Sequence, residues 1–170
     1  MQEERFAMLD KIKDIRAAIN NQTYISALAL ALTLPDICSQ IENGTTEGSR
    51  SQYIQWVDAH MDDESFNFPI SGFETQNFKG NMCYSLRCKV LHNGTLDVKN
   101  QKLGVSVDQF MLTKPGCSNY YYGYQYQTTN NINKTIIAID YLCEQLCKAA
   151  EDFYNSYEDK TPFEEHTFSL

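Results

Sequence analysis

The sequence predicts a mainly α fold, a helical bundle of about five helices with a small β-hairpin or sheet inserted near residues 95–126. Three observations carry that prediction. Apolar residues recur at helical spacing near both ends of the chain, an Ala/Leu-rich run lacks the β-branched density of a strand, and apolar/polar alternation is confined to the stretch after Asn93-Gly94. The 170 residues fit one domain, expected over 1–160, with 161–170 as a flexible tail. Apolar residues at 42% and aromatics at 12% are enough to build a core, which excludes general disorder.

Glu3 to Asn20 sets Phe6, Leu9, Ile12, Ile15 and Ile19 on one side of an amphipathic helix and charges on the other. Tyr24 to Glu42 reads as a second, mostly buried helix that Pro35 kinks or restarts before Asn43-Gly44 ends it. Ser49 to Met61 spaces Tyr53, Trp56, Val57 and His60 as a short third helix. Asp62 to Gly80 contains Pro69, Gly72 and Gly80 and reads as a loop, long enough to act as a lid or connector. Asn81 can cap a fourth helix in which Met82, Leu86 and Val90 recur every four residues, and Asn93-Gly94 supplies a left-handed stop. Alternation in Leu103-Gly104-Val105-Ser106-Val107 and the run Phe110-Met111-Leu112 predict one or two strands. Tyr120 to Tyr126 holds five tyrosines, suited to packing a sheet face or to stacking on bases. A last helix is predicted from Ile132 to Tyr157, through Ile136, Ile139, Cys143, Leu146, Cys147, Ala150 and Phe153.

The ten-residue apolar run Ile25 to Leu34 is half the length a bilayer needs, and the acidic N-terminus does not resemble the start of a secretion signal. A cytoplasmic protein without membrane contact is expected, with its six cysteines as free thiols. Cys143 and Cys147, four apart, read as core residues. The sequons at Asn21, Asn43, Asn93 and Asn133 then have no glycosylation machinery to meet. No C-x-x-C pair is present, the three histidines His60, His92 and His166 are far apart in sequence, and no nucleotide-binding fingerprint occurs, so neither metal nor cofactor is expected. Asp62-Asp63-Glu64 reads as a solvated triplet, and His60 and His166 have no evident partner.

A net charge of −8 disfavours general polyphosphate binding and offers an acidic surface to a protein partner. The charge is unevenly spread. Lys79 to Lys114 carries six basic residues and two acidic ones, a local balance of +4 that leaves −12 elsewhere. Such segregation can focus an anionic ligand on one region.

Within this basic window, Tyr84-Ser85-Leu86-Arg87-Cys88-Lys89-Val90-Leu91-His92-Asn93-Gly94 places an arginine five positions before a histidine near a helix end. This R-x4-His spacing resembles the R-x4-6-H signature of the HEPN superfamily. The resemblance rests on Arg87 and His92 and spans the first 94 residues and the last helix. ALALTLPDIC, SRSQYIQW and YSLRCKVLHNG also resemble segments of small bacterial proteins without an established activity. The HEPN resemblance implies a helical bundle that dimerises and, when catalytically competent, cleaves RNA without a metal, as toxins or defence effectors do. Arg87 and His92 would be the catalytic pair, with Lys89, Lys99, Lys102 and Tyr84 along the RNA path. Cys88 stands where members of the superfamily often carry a polar residue.

The chemistry suits the pair. When a 2′-hydroxyl attacks the adjacent phosphorus, one group must move a proton and another must stabilise charge on the phosphorane, tasks that fit histidine and arginine respectively. Residues five apart on an ideal α-helix are rotated by about 140°, so a helix that ends before His92 would favour convergence. The alternative is a non-catalytic interaction protein in which Arg87 pairs with an acidic neighbouring helix and His92 caps its own.

Overall fold

The computed structural model describes residues 5–61, 78, 80–94, 96, 107–164, 166 and 168–169. Strand β1 (Arg5–Phe6) leads into α1 (Met8–Asn20), α2 (Tyr24–Ala31), α3 (Leu34–Asn43), α4 (Arg50–His60) and α5 (Gly80–Cys88). A π-helical turn (Lys89–Asn93) extends α5; then come β2 (Gln109–Thr113), β3 (Tyr124–Thr129), β4 (Ile132–Ala138), α6 (Ile139–Ser156), α7 (Thr161–Glu164) and β5 (Phe168–Ser169). A mainly helical bundle with a small mixed sheet is the fold class the sequence predicts.

Local chemistry sets the boundaries. The Asp10 carboxylate accepts the Ala7 N–H at 2.9 Å, so α1 begins at Met8, and Phe6, expected in the helix, lies instead in β1 paired with Phe168. Pro35 restarts the second helix from its first turn, where the missing N–H costs nothing, and the Thr33 hydroxyl closes α2 on the Leu30 carbonyl at 2.7 Å. Taken as one run, Tyr24–Asn43 is apolar and long enough to cross a membrane; it is broken between the two helices, and Ala27, Leu28, Ala31, Leu32 and Leu34 are fully buried in the bundle. Gly44, at φ 61°, lets Thr45 donate back to the Gln40 carbonyl at 2.9 Å and ends α3. Ser49 caps α4 by accepting the Gln52 N–H at 3.2 Å.

The largest departure from the sequence reading lies before α6. Residues 132–138, expected as helix, form the central strand of the sheet, ordered β2-β4-β3, with β2 parallel and β3 antiparallel to β4. Thr129 pairs with Ile132 across Asn130 and Asn131, at φ 52° and 62°, a two-residue hairpin turn with both central residues left-handed. β4 is buried from Thr135 to Ala138 and runs without a loop into α6. Val107 is described, whereas most of the alternating stretch before it, like the loop expected over 62–77, lies outside the described residues.

Helix α6 is the hub and packs against α1, α2, α3 and α4. Its buried face includes Leu142, Cys143, Leu146, Cys147, Ala150 and Phe153. Residues expected as a flexible tail dock here: Phe163 is buried against Phe153, Tyr154 and Tyr157, and β5 pairs with β1. On the outer side, Arg16 of α1 binds Glu144 and Glu151 of α6 at 2.8 and 2.9 Å.

All six cysteines are unpaired, and burial pushes the Cys147 thiol up to about 12. Alkylation of the unfolded, unreduced chain is therefore expected to yield six adducts by mass spectrometry; fewer would place a disulfide where the fold has none. The hydrogen bond from Arg16 holds the Glu151 carboxyl below its ordinary range. The stability it lends is fully present above the ordinary carboxylate pKa and is lost as pH falls through the lowered folded value. Arg16→Met should cost up to about 1 kcal/mol at neutral pH, because the pair is partly exposed, and less near pH ~3, as read from urea midpoints.

Candidate functional site

The R-x4-His segment is positioned by the contact of α5 with α4. A Cβ on Gly80 would lie 2.3 Å from the Ile54 carbonyl oxygen, so only glycine permits the approach. Asp58 of α4 accepts the Gly80 N–H at 2.7 Å. Met82, Cys83 and Leu86 then face the core, and the buried Tyr53 hydroxyl donates to the Leu32 carbonyl at 3.1 Å and lies 3.4 Å from Cys83 Sγ.

This packing turns Arg87 toward α3. Its Nε donates to Asp36 Oδ2 at 2.6 Å, with the two side chains 21% and 20% exposed. The guanidinium carbon lies 5.8 Å from the Tyr53 ring centre and 5.7 Å from that of Tyr84, and the two rings meet edge-on at 5.3 Å. Burial pushes the Asp36 carboxyl above its ordinary value, although the Arg87 charge and hydrogen bond oppose the rise. Burial also works against the Arg87 charge, but Asp36 holds it above its ordinary value and it stays charged. Tyr84, half-buried, is likewise raised by burial and by its neighbour Cys88.

Directly after Cys88 the winding changes from α to π. The Gly94 N–H, at φ 63°, donates to the Lys89 carbonyl at 3.0 Å, the five-residue span of a π-turn. A π-turn rotates less per residue than an α-turn, which narrows the angle between Arg87 and His92 below the roughly 140° of an ideal α-helix. His92 is exposed near the end of this turn. The helix expected to reach Val90 thus ends in its α form at Cys88, and the Gly94 stop stands where the sequence places it.

Of the remaining site residues, Lys89 and Tyr84 are described. Lys89, expected along an RNA path, is only 9% exposed. Tyr84 is in contact with Arg87, whereas Lys99 and Lys102 lie outside the described residues. Lys114, also in the basic window, sits with its ammonium 5.3 Å from the Tyr24 ring centre. In the tyrosine segment, Tyr124 stacks on Phe78 and Tyr120 donates to Asp140 at 2.7 Å, while Tyr122 stays 54% exposed. His60, read from sequence as lacking a partner, bonds Glu42 at 2.8 Å and stacks on Trp56. Cavities of about 220 and 420 Å³ flank Arg16 between α1 and α6, and neither is lined by Arg87 or His92.

Asp36 is the residue the sequence reading missed. Its only sequence signal is a carboxylate in the first turn of a helix, and no local spacing ties it to an arginine 51 residues away. No protein-family model matches the chain, and neither the curated proteins nor the solved structures contain a match.

Because the Gly80 approach positions the whole segment, Gly80→Ala must push α5 off α4. A loss of about 1–3 kcal/mol is expected in chemical denaturation, with Tyr53 and Arg87 displaced; a variant as stable as the parent would show that the close approach is not needed.

Proposed function

We propose that the protein is a metal-independent endoribonuclease of HEPN-like type, in which Arg87 holds the scissile phosphate and His92 moves the proton. The observation that carries this reading is the change from α to π winding between the two residues, which narrows their angular separation and leaves His92 exposed next to the Gly94 stop. The π turn closes α5 at its C-terminal end, and its wider winding re-aims His92 relative to where regular α winding would put it.

In the proposed reaction the neutral His92 imidazole takes the 2′-hydroxyl proton as that oxygen attacks phosphorus. The Arg87 guanidinium bonds the non-bridging oxygens as charge grows on them. The bond to the 5′-oxygen breaks, the leaving oxygen gains a proton, and a 2′,3′-cyclic phosphate remains. One histidine cannot hold the proton of the nucleophile and supply that of the leaving group in the same step. A homodimer that brings two motif segments together would provide the second acid, and RNA is the expected partner.

Purified protein is expected to cut RNA in EDTA and leave cyclic phosphate ends. Arg87→Ala and His92→Ala should each lower the rate by about 10²-fold or more while circular dichroism stays that of a folded helical protein. Arg87→Lys should be impaired as well, since an ammonium lacks the planar fork. Activity retained in both alanine variants overturns the assignment. The Arg87–Asp36 pair favours one other reading, a non-catalytic helical interaction protein with an acidic surface, and absence of cleavage by the wild type would leave that reading in place.

A further inference from the structure

We infer that Asp36 is a positioning residue, which fixes the Arg87 guanidinium through its Nε edge so that its Nη edge is presented to a phosphate. The inference rests on the endoribonuclease reading of Arg87 and adds to it a residue from a different helix, far away in sequence.

The geometry is that of a one-sided clamp. Asp36 bonds Arg87 through Nε at 2.6 Å, and among the described residues neither Nη nitrogen has a hydrogen-bond partner. The remaining donors of the fork are therefore uncommitted to the protein there, and they are the donors that match two phosphate oxygens. The clamp is itself rigid. Asp36 is the third residue of α3, directly after Pro35, and its carbonyl accepts the Ser39 hydroxyl at 3.1 Å. On the other side, the rings of Tyr53 and Tyr84 limit the swing of the guanidinium. An unrestrained arginine would lose most of its rotamer freedom on binding phosphate, whereas this one has lost it on folding.

The same carboxylate has an opposing effect, which makes the inference testable. A negative charge beside Arg87 weakens its attraction for a phosphate. Removing only that charge should therefore strengthen or preserve substrate binding while spoiling orientation. The titratable groups facing Asp36 are Arg87, Tyr53, Cys83 and Tyr84.

The test compares wild type, Asp36→Asn and Asp36→Glu as full-length proteins, in RNA cleavage kinetics and in NMR of the Arg87 Nε–Hε group. For Asp36→Asn the expected result is a fall in kcat of about 10–100-fold with KM unchanged or lower. Asp36→Glu should recover part of kcat. The Arg87 Hε signal should exchange slowly in wild type and fast in Asp36→Asn, and added inorganic phosphate should shift the wild-type signal most. An unchanged or raised kcat in an Asp36→Asn protein with wild-type melting behaviour overturns the inference. If the wild type cuts no RNA but its Arg87 signal responds to phosphate and depends on Asp36, the nuclease reading fails and the positioning role stands for anion binding. If that signal ignores both phosphate and the substitution, the positioning role fails.

Discussion

Burial of the apolar face of α6 is the constraint on which the rest of the molecule depends. Leu142, Leu146 and Cys147 are fully excluded from solvent, and α1, α2, α3 and α4 all pack on this helix. Each buried leucine contributes about 1.5–3 kcal/mol, whereas a partly exposed ion pair contributes about 0–1 kcal/mol, so the Arg16 clamp sets the rotation of α1 against α6 more than it holds them together. β4 extends the hub into the sheet with no intervening loop, and its Thr135 to Ala138 segment is shielded on both faces, as expected of a central strand. The R-x4-His segment stands two layers out. α6 supports α3 and α4, α4 supports α5 through the Gly80 approach, and α3 supplies the carboxylate that reaches Arg87.

Most helices were legible because each shows a single periodicity and its own stop signal. Residues 132–138 were not. Ile132, Ile136 and Ile139 fit the spacing of the helix that follows, and the same residues, as β-branched side chains, suit a strand buried on both faces. The deciding information was the turn. Asn130-Asn131 adopts the left-handed pair a tight hairpin requires, but without a glycine it gives a weaker signal than Asn-Gly, and Tyr124–Thr129 has no obvious strand partner until β4 is recognised. Among the charged residues, the two members of the motif are visible because they are near in sequence. The third, Asp36, is brought to Arg87 only by tertiary packing, and sequence reasoning anticipated the kind of partner, an acid on a neighbouring helix, without its position.

The charge distribution looks different in three dimensions. The basic window predicted a cationic strip, yet of its described members Arg87 is paired with a carboxylate, Lys89 is buried and Lys114 rests against an aromatic ring. Local focusing of an anion therefore depends on how few charges remain uncommitted rather than on the linear count. In a chain of net charge −8, an arginine with one of its five donors tied to a carboxylate selects a ligand by hydrogen-bond geometry more than by long-range attraction.

The energetics of the Asp36–Arg87 pair argue that its value is not chiefly stability. Taking two charges out of water carries a penalty that their attraction returns only when every donor and acceptor is satisfied, and apolar residues of similar size in such places are often as stable or more so. Here the exchange is incomplete by geometry, because the bond uses one edge of the guanidinium and burial still raises the carboxyl against the pull of its partner. A bundle that needed only packing at this point would be served by a leucine and a methionine. What the charged pair supplies, and an apolar pair cannot, is a guanidinium tied at Nε beside the edge-on pair of Tyr53 and Tyr84 rings, with its other edge uncommitted to a described partner. That arrangement orders the arginine before any ligand arrives.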